Sequence, residues 1–177
     1  MATATIPARQ SRPRALLAAL VGTRTAPAVA DCALVIARAT LALIFIYHGG
    51  RRLFGAFDGA GLDASARYFE QVAGLSPGHL WATLSGLTEF VGGIAIAVGL
   101  LTRLAGLGIF VDMMMAIITV TWSNGFNATR EQGPPGYELN LALGVLALMI
   151  AFFGAGRFSI DALIERRLTG NGQPPPT

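Results

Sequence analysis

An all-α integral membrane protein, a bundle of four transmembrane helices, is the fold class this sequence predicts. Three observations predict it. The 177 residues are 53% hydrophobic and only 13% charged, with a mean hydropathy of +0.57, whereas a soluble domain carries about 25% charge. Four near-continuous apolar runs recur along the chain, each of about 18 residues or more, the length that crosses a hydrocarbon core of ~30 Å at ~1.5 Å per residue. Small residues recur at helical spacing on these runs, which lets helix backbones approach closely in lipid, where burial of apolar surface drives no association.

Residues 1–29 are rich in Ala, Thr, Arg and Pro, with Arg9, Arg12, Arg14 and Arg24, and read as a disordered or interfacial cytoplasmic tail. The apolar stretch 15–21 is too short to span. An AVA tripeptide before Asp31 has the form of a signal-peptide cleavage site, but Arg24 interrupts the approach to it. The membrane domain is expected over residues 30–168. Its first span covers about 30–47, apolar except for Asp31 near its mouth and Arg38 within. The connection 49–78 carries an apolar-periodic piece, 64–72, read as a short interfacial helix. The second span covers 79–101 and places Ala82, Ser85, Gly86, Glu89, Gly92 and Gly93 on one small, polar stripe. Thr102 and Arg103 are read as a very short turn into a third span, 104–122. The loop 123–137 contains NGF and GPPG, both turn signals. The fourth span, 139–156, has its own small stripe of Asn140, Gly144, Ala147 and Ala151. Ser159 is placed to N-cap a helix through Leu168, with Asp161 in its first turn and Arg166 and Arg167 in its last. Residues 169–177 are expected to be a disordered tail.

All thirteen basic residues are arginine, and the net charge is +3. With both termini inside, the cytoplasm receives Arg9, Arg12, Arg14, Arg24, Arg103, Arg157, Arg166 and Arg167. The outside receives Arg51, Arg52, Arg67 and Arg130. The asymmetry favours cytoplasmic termini. No basic surface interleaved with aromatics is present, so nucleic acid is not an expected partner. The single cysteine, Cys32, excludes an internal disulfide, a CxxC couple and an Fe–S site built by this chain alone.

Two constellations could carry chemistry. Glu89 lies near the middle of the second span, where an ionisable side chain is costly and by default a candidate functional residue. Arg38 and Asp112 fall at a similar depth on the first and third spans, ~15 Å from the outer helix ends. One buried cluster of Arg38, Glu89 and Asp112 is therefore expected. Its excess carboxylate, in low dielectric, favours a protonated form. Either it is an ion pair that fixes helix register, or it relays protons or deprotonates a quinol. The second constellation, at the outer ends, contains Tyr47, His48, His79, Tyr137, Glu138 and Asn140, with Arg51 and Arg52 nearby, and the outer pocket expected there is lined by His48, Arg52, Tyr137 and Glu138. It reads either as a pocket for a polar ring head-group such as a quinone or as ordinary interfacial anchoring. No close-spaced ligand pair occurs, so no metal is assigned. No pair of Gly- or Pro-broken helices marks a transport pathway.

The run YHGGRRLFGAF (47–57) resembles the segment that closes the first helix of DoxX-family membrane proteins, and LTEFVGGIAIAVGLLTRLA (87–105) resembles that family's central core. NGF (124–126), the Tyr137–Glu138 pair and GAGRFSIDAL (154–163) are similar to its later segments in the same order, so the resemblance covers about 33–165. It implies a four-helix protein of the bacterial inner membrane, linked to membrane oxidoreduction and oxidative-stress handling. By matched position it singles out Arg38, His48, Arg52, Glu89, Gly92, Gly93, Arg103, Asn124, Gly125, Tyr137 and Glu138. Arg52 stands where Lys is common, replacing a point charge by a fork. Trp122 stands where many members carry His, which disfavours a haem or metal reading that needed this ligand; the cofactor stays open, with a quinone compatible with the resemblance. The function it implies is a component of a quinone-linked oxidoreductase. The alternative is a non-catalytic scaffold in the lipid bilayer that recruits soluble redox enzymes at its cytoplasmic face. No dinucleotide fingerprint is present, so a hydride or flavin step belongs to a partner. Substrate and oligomeric state, homo-oligomer or monomer, are not fixed by the sequence.

Overall fold

A computed structural model describes residues 26–127 and 133–169. The tail readings for 1–25 and 170–177, and Arg130 in the orientation count, lie outside the described residues. Within them the chain is all-helical. Helix α1 (Pro27–Phe54) opens with proline in its first turn, where the missing N–H costs nothing and the ring presets φ. It ends at Gly55, which takes a left-handed conformation, φ 67°. Helix α2 (Gly61–Gln71) is the short helix expected between the first two spans. Helix α3 (Gly78–Val98) follows, its first amide bonded to Glu70 Oε1 at 2.8 Å. A tight turn, Gly99 to Leu101, leads into α4 (Thr102–Ala116). That span continues through a π-helical segment (Ile117–Thr121) and a 3₁₀ turn (Trp122–Asn124). Helices α5 (Glu138–Phe153) and α6 (Ile160–Leu168) complete the chain.

Three helical segments, Pro27–Phe54, Gly78–Val98 and Thr102–Asn124, are long and apolar enough to cross a membrane, and Glu138–Phe153 is a shorter apolar helix. At 1.5 Å per residue α5 is ~24 Å long, about a turn short of the hydrocarbon core, a mismatch that local thinning or flanking residues absorb. Only 22–33% of each long span is buried within the protein. The remainder, including Ile36, Leu43, Leu104 and Ile118, with Phe152 of α5, is an apolar surface that only lipid solvates without penalty.

α1 packs antiparallel on α3, and α4 on α5. The core they share is Leu41, Ala42, Phe45, Ile96, Ile109, Met113, Ala147 and Ile150. Small residues set the spacing, as their positions predict. A Cβ on Gly49 would lie 2.5 Å from the Phe90 backbone nitrogen, so α1 and α3 touch backbone to backbone there. One on Gly106 would lie 2.8 Å from the Ala147 carbonyl, which does the same for α4 and α5. The stripe on α3 faces inward: Ala82, Ser85, Gly86, Glu89 and Gly93 are buried.

Several boundaries differ from expectation: α1 begins at Pro27, inside the stretch 1–29 read as a tail, and α5 ends at Phe153, three residues before the expected end of the fourth span. The first span runs on to Phe54 instead of stopping near Tyr47, because Gly49 and Gly50 are contact residues inside a continuous helix and not its end. The turn between the second and third spans lies at 99–101, one step before Thr102 and Arg103.

The end of the bundle that holds the start of α1 also holds α6, and polar contacts fasten it. Arg38, 3% exposed, donates to four carbonyls: Ile96 (2.9 Å), Ala97 (3.0 Å), Ala155 (2.6 Å) and Phe158 (2.9 Å). The buried carboxylate of Asp31 accepts from the Arg157 amide at 3.2 Å and faces its guanidinium at 3.8 Å. Ser159 caps α6, accepting from the Ala162 amide at 3.1 Å, as its position predicts. Asp161 has a larger role than a first-turn acid. Its carboxylate accepts from the amides of Leu101 (2.8 Å) and Thr102 (3.0 Å), and so caps α4, whose own N-cap residue, Leu101, offers no side-chain acceptor.

Partial burial opposes ionisation of Asp161, but the Thr102 and Leu101 amides and then Arg38 outweigh it and hold its carboxyl below the ordinary aspartate range. The unfolded chain then binds the proton more readily, so this cap stabilises the fold above pH ~3.9 and is lost as pH falls through the depressed folded value. Asp161→Asn is expected to lower the melting temperature at neutral pH, with the gap to wild type closing below about pH 4. Thermal unfolding in detergent across that range checks it. A gap that stays constant with pH would show that the charge contributes nothing.

Candidate functional site

The opposite end of the bundle holds a cavity of about 290 Å³. It lies where α1 and the extended α4 finish and where α3 and α5 begin. Arg52 reaches it from the last turn of α1, and Phe69 comes from α2. Trp81, Ser85 and Glu89 come from successive turns of α3, and Asp112 from α4. Thr119 of the π-helical segment and Asn140 of α5 also line it. A π-helical turn of this kind often marks a functional site, because it re-aims side chains at the cost of regular hydrogen bonding.

The polar side of the cavity centres on Arg52. Its guanidinium lies 3.3 Å from Glu89 Oε1, donates to Ser85 Oγ, and sits over the Phe69 ring, 5.2 Å from its centroid. The Glu89 side chain is 4% exposed and that of Arg52 25% exposed, so the pair joins a buried carboxylate to a partly open cation. The other carboxylate oxygen, Oε2, is buried and accepts no hydrogen bond from the described residues. A buried carboxylate oxygen left in this way costs free energy unless a donor reaches it. Asp112 lines the same cavity, within electrostatic reach of Glu89 and Arg52. The apolar side, with Phe69, Trp81, Leu84 and Met115, is suited to a flat or branched hydrocarbon body.

Glu89 and Asp112 meet as expected, but Arg38 does not join them. Because α1 is one unbroken helix, Arg38 and Arg52 are ~21 Å apart along it. The antiparallel packing sets Gly49 against Phe90 and Gly93 against Ile46. In that register Arg38 lies level with the C-terminal end of α3, where Ile96 and Ala97 take its hydrogen bonds. Arg52, read at the outer pocket, lies level with Ser85 and Glu89 and supplies the cation instead.

The other outer-pocket residues sit apart from the cavity. His48 is exposed on α1, edge-on to Tyr47 at 5.4 Å. Tyr137 stacks on Trp122 at 5.3 Å and lies edge-on to Phe126 at 5.4 Å. The backbone of 125–127 pairs with that of 136–138, through Tyr137 N to Gly125 O (3.1 Å) and Glu138 N to Phe126 O (2.9 Å). The NGF segment and the Tyr137–Glu138 pair thus form one clasp that closes the loop between α4 and α5. Among the described residues no group of three or more His, Cys, Asp or Glu side chains is placed to hold a metal ion. Thr119 falls on the small-to-medium stripe that the sequence places around Asp112 on the third span, with Ala105, Gly108, Met115 and Ala116. Phe69 and Trp81 are not singled out by the sequence: Trp81 follows His79 at the mouth of an apolar helix, a weak signal, and Phe69 offers none.

A family model described as DoxX matches residues 33–122. The chain is also similar to "Uncharacterized membrane protein Rv3486" of Mycobacterium tuberculosis (strain ATCC 25618 / H37Rv). The two are 30% identical over 113 residues, which cover 59% of this chain and 67% of that protein. No solved structure matches the chain.

Proposed function

The chain belongs to the DoxX family, and from that premise we propose that it is the ligand-binding membrane component of a quinone-linked oxidoreductase system. On this reading it resides in the bacterial inner membrane with both termini cytoplasmic. The observation that carries the proposal is the Arg52–Glu89 pair, a buried carboxylate on a partly open cation, in a mainly apolar cavity, with Glu89 Oε2 lacking a donor among the described residues. A hydroxylated or carbonyl-bearing ring with a hydrocarbon tail satisfies both sides of such a site. Arg52 donates to an acceptor oxygen, and Ser85 holds the guanidinium in place. Glu89 accepts a hydroxyl proton at Oε2 and can return it, and Asp112 is a second carboxylate through which that proton can leave. A bound quinone would supply the electron-carrying chemistry, and the chain supplies binding, orientation and a proton acceptor. The orientation rests on the arginine asymmetry, in keeping with a fold that sets the start of α1 and α6 at one end.

The test is a titration of the purified full-length protein in detergent with a soluble quinone analogue. It is followed by tryptophan fluorescence in a Trp122→Phe background, so that Trp81 in the cavity reports alone. Saturable quenching is expected, with Kd raised at least about tenfold in Glu89→Gln, the ~1.4 kcal/mol of one charge-assisted hydrogen bond, and unchanged in His48→Ala. Quenching that never saturates, or that Glu89→Gln leaves alone, would overturn the reading. Function would then pass to the scaffold alternative.

A further inference from the structure

We propose that α6, together with Arg103 and Arg157, forms a membrane-surface site for anionic phospholipid head-groups, and that the bilayer covers its apolar face. Ile160, Leu163, Ile164 and Leu168 recur at the spacing of one helix face, and all four are exposed. The helix does not hang free. Its Asp161 amide donates to the Gly99 carbonyl at 2.8 Å, and the Asp161 carboxylate holds the start of α4. These bonds pin α6 to the turn where α3 and α4 leave the hydrocarbon. Around that level Leu101, Phe153 and Phe158 are exposed as well, so the apolar face of α6 continues the lipid-facing surface of the spans.

The charges at this end complete the match. Arg103, Arg157, Arg166 and Arg167 are all exposed. Of the acids there, Asp31 is buried against Arg157 and Asp161 is engaged with two backbone amides. Only Glu165 stands exposed among the described residues of α6 as a free-standing counter-charge. Arg167 falls on the same face as the four apolar residues and Arg166 at its edge, so a helix tethered at the membrane boundary with that face on the bilayer sets both arginines, with Arg103 and Arg157 nearby, at the level of the lipid phosphates. The inference stands apart from the quinone reading and bears on the scaffold alternative, because it assigns to lipid the segment a docking role would use.

The experiment compares the full-length protein in nanodiscs of phosphatidylcholine alone and of phosphatidylcholine with phosphatidylglycerol. Hydrogen exchange is read at the amides of 160–168, with no quinone present. Exchange is expected to slow in the anionic bilayer, by about fivefold for each arginine engaged. The Arg166→Gln/Arg167→Gln variant should lose the difference while the amides of α3 stay as protected as in wild type. Equal exchange in the two bilayers overturns the proposal, and so does a lipid effect that survives in the double variant. Protection that arises only on adding a soluble protein, and equally in both bilayers, overturns it in favour of a protein partner.

Discussion

Replacing Arg38 with methionine is expected to destabilise the bundle by about 3–5 kcal/mol, the scale seen when a buried, fully bonded charged group is removed. The loss comes less from the charge than from what it leaves behind. Four carbonyls, at the end of α3 and in the α5–α6 connection, accept from this one guanidinium, and one of them, Ile96, also takes the Gly99 amide at 3.2 Å. Carbonyls left unsatisfied cost ~1–3 kcal/mol each where water cannot reach them. Arg38→Lys should recover only part of the loss, since a single ammonium cannot span the carbonyls that a planar guanidinium reaches. Chemical denaturation in detergent measures both variants. Quinone-analogue affinity of the folded fraction should be unchanged, because Arg38 lies at the far end from the cavity. A variant that keeps its stability but loses the ligand would place Arg38 back beside Glu89 and contradict the register of α1 on α3.

Arg52→Met should cost about as much, ~3–5 kcal/mol, for a different reason: it leaves the Glu89 carboxylate buried without its cation. Glu89→Gln removes the charge itself and should cost less, about 1–2 kcal/mol. The double variant Arg52→Met/Glu89→Gln should then be more stable than the two single losses added together, by roughly 1–3 kcal/mol of coupling. Both single variants should weaken the quinone analogue, and the double variant should not restore it, because the donor and the proton acceptor are both gone. Additive stabilities would mean that the 3.3 Å pair carries no energy. Restored binding in the double variant would mean that the cavity recognises its ligand by shape alone.

The two variants act at opposite ends of the molecule, and that separation was not visible in the linear chain. Counted from His48, Arg38 has the depth of Glu89. Counted along a helix that runs to Phe54, it does not. The deciding element is the Gly49–Gly50 pair, which has the composition of a helix stop. Here Gly49 serves as a contact, because a Cβ would strike the Phe90 backbone at 2.5 Å. Whether a glycine ends a helix or admits a neighbour depends on what packs against it, and a single chain read locally holds no record of that.

Local periodicity and transfer energy are enough for one part of this architecture. The apolar spans, the inward stripe of α3 with Glu89 on it, the pairing of Glu89 with Asp112 in one site, the short helix before α3 and the Ser159 cap belong to that part. Each depends on residues within a few turns of one another, or on the cost of placing charge in lipid. The rest depends on how the helices pack. Their packing chose Arg52 over Arg38 as the partner of Glu89, set His48, Tyr137 and Glu138 outside the cavity, and made Asp161 the cap of a helix some 60 residues earlier in the chain. Those outcomes follow from the register of one helix on another, which is set by side-chain volumes meeting across an interface, and no local pattern in either helix encodes it.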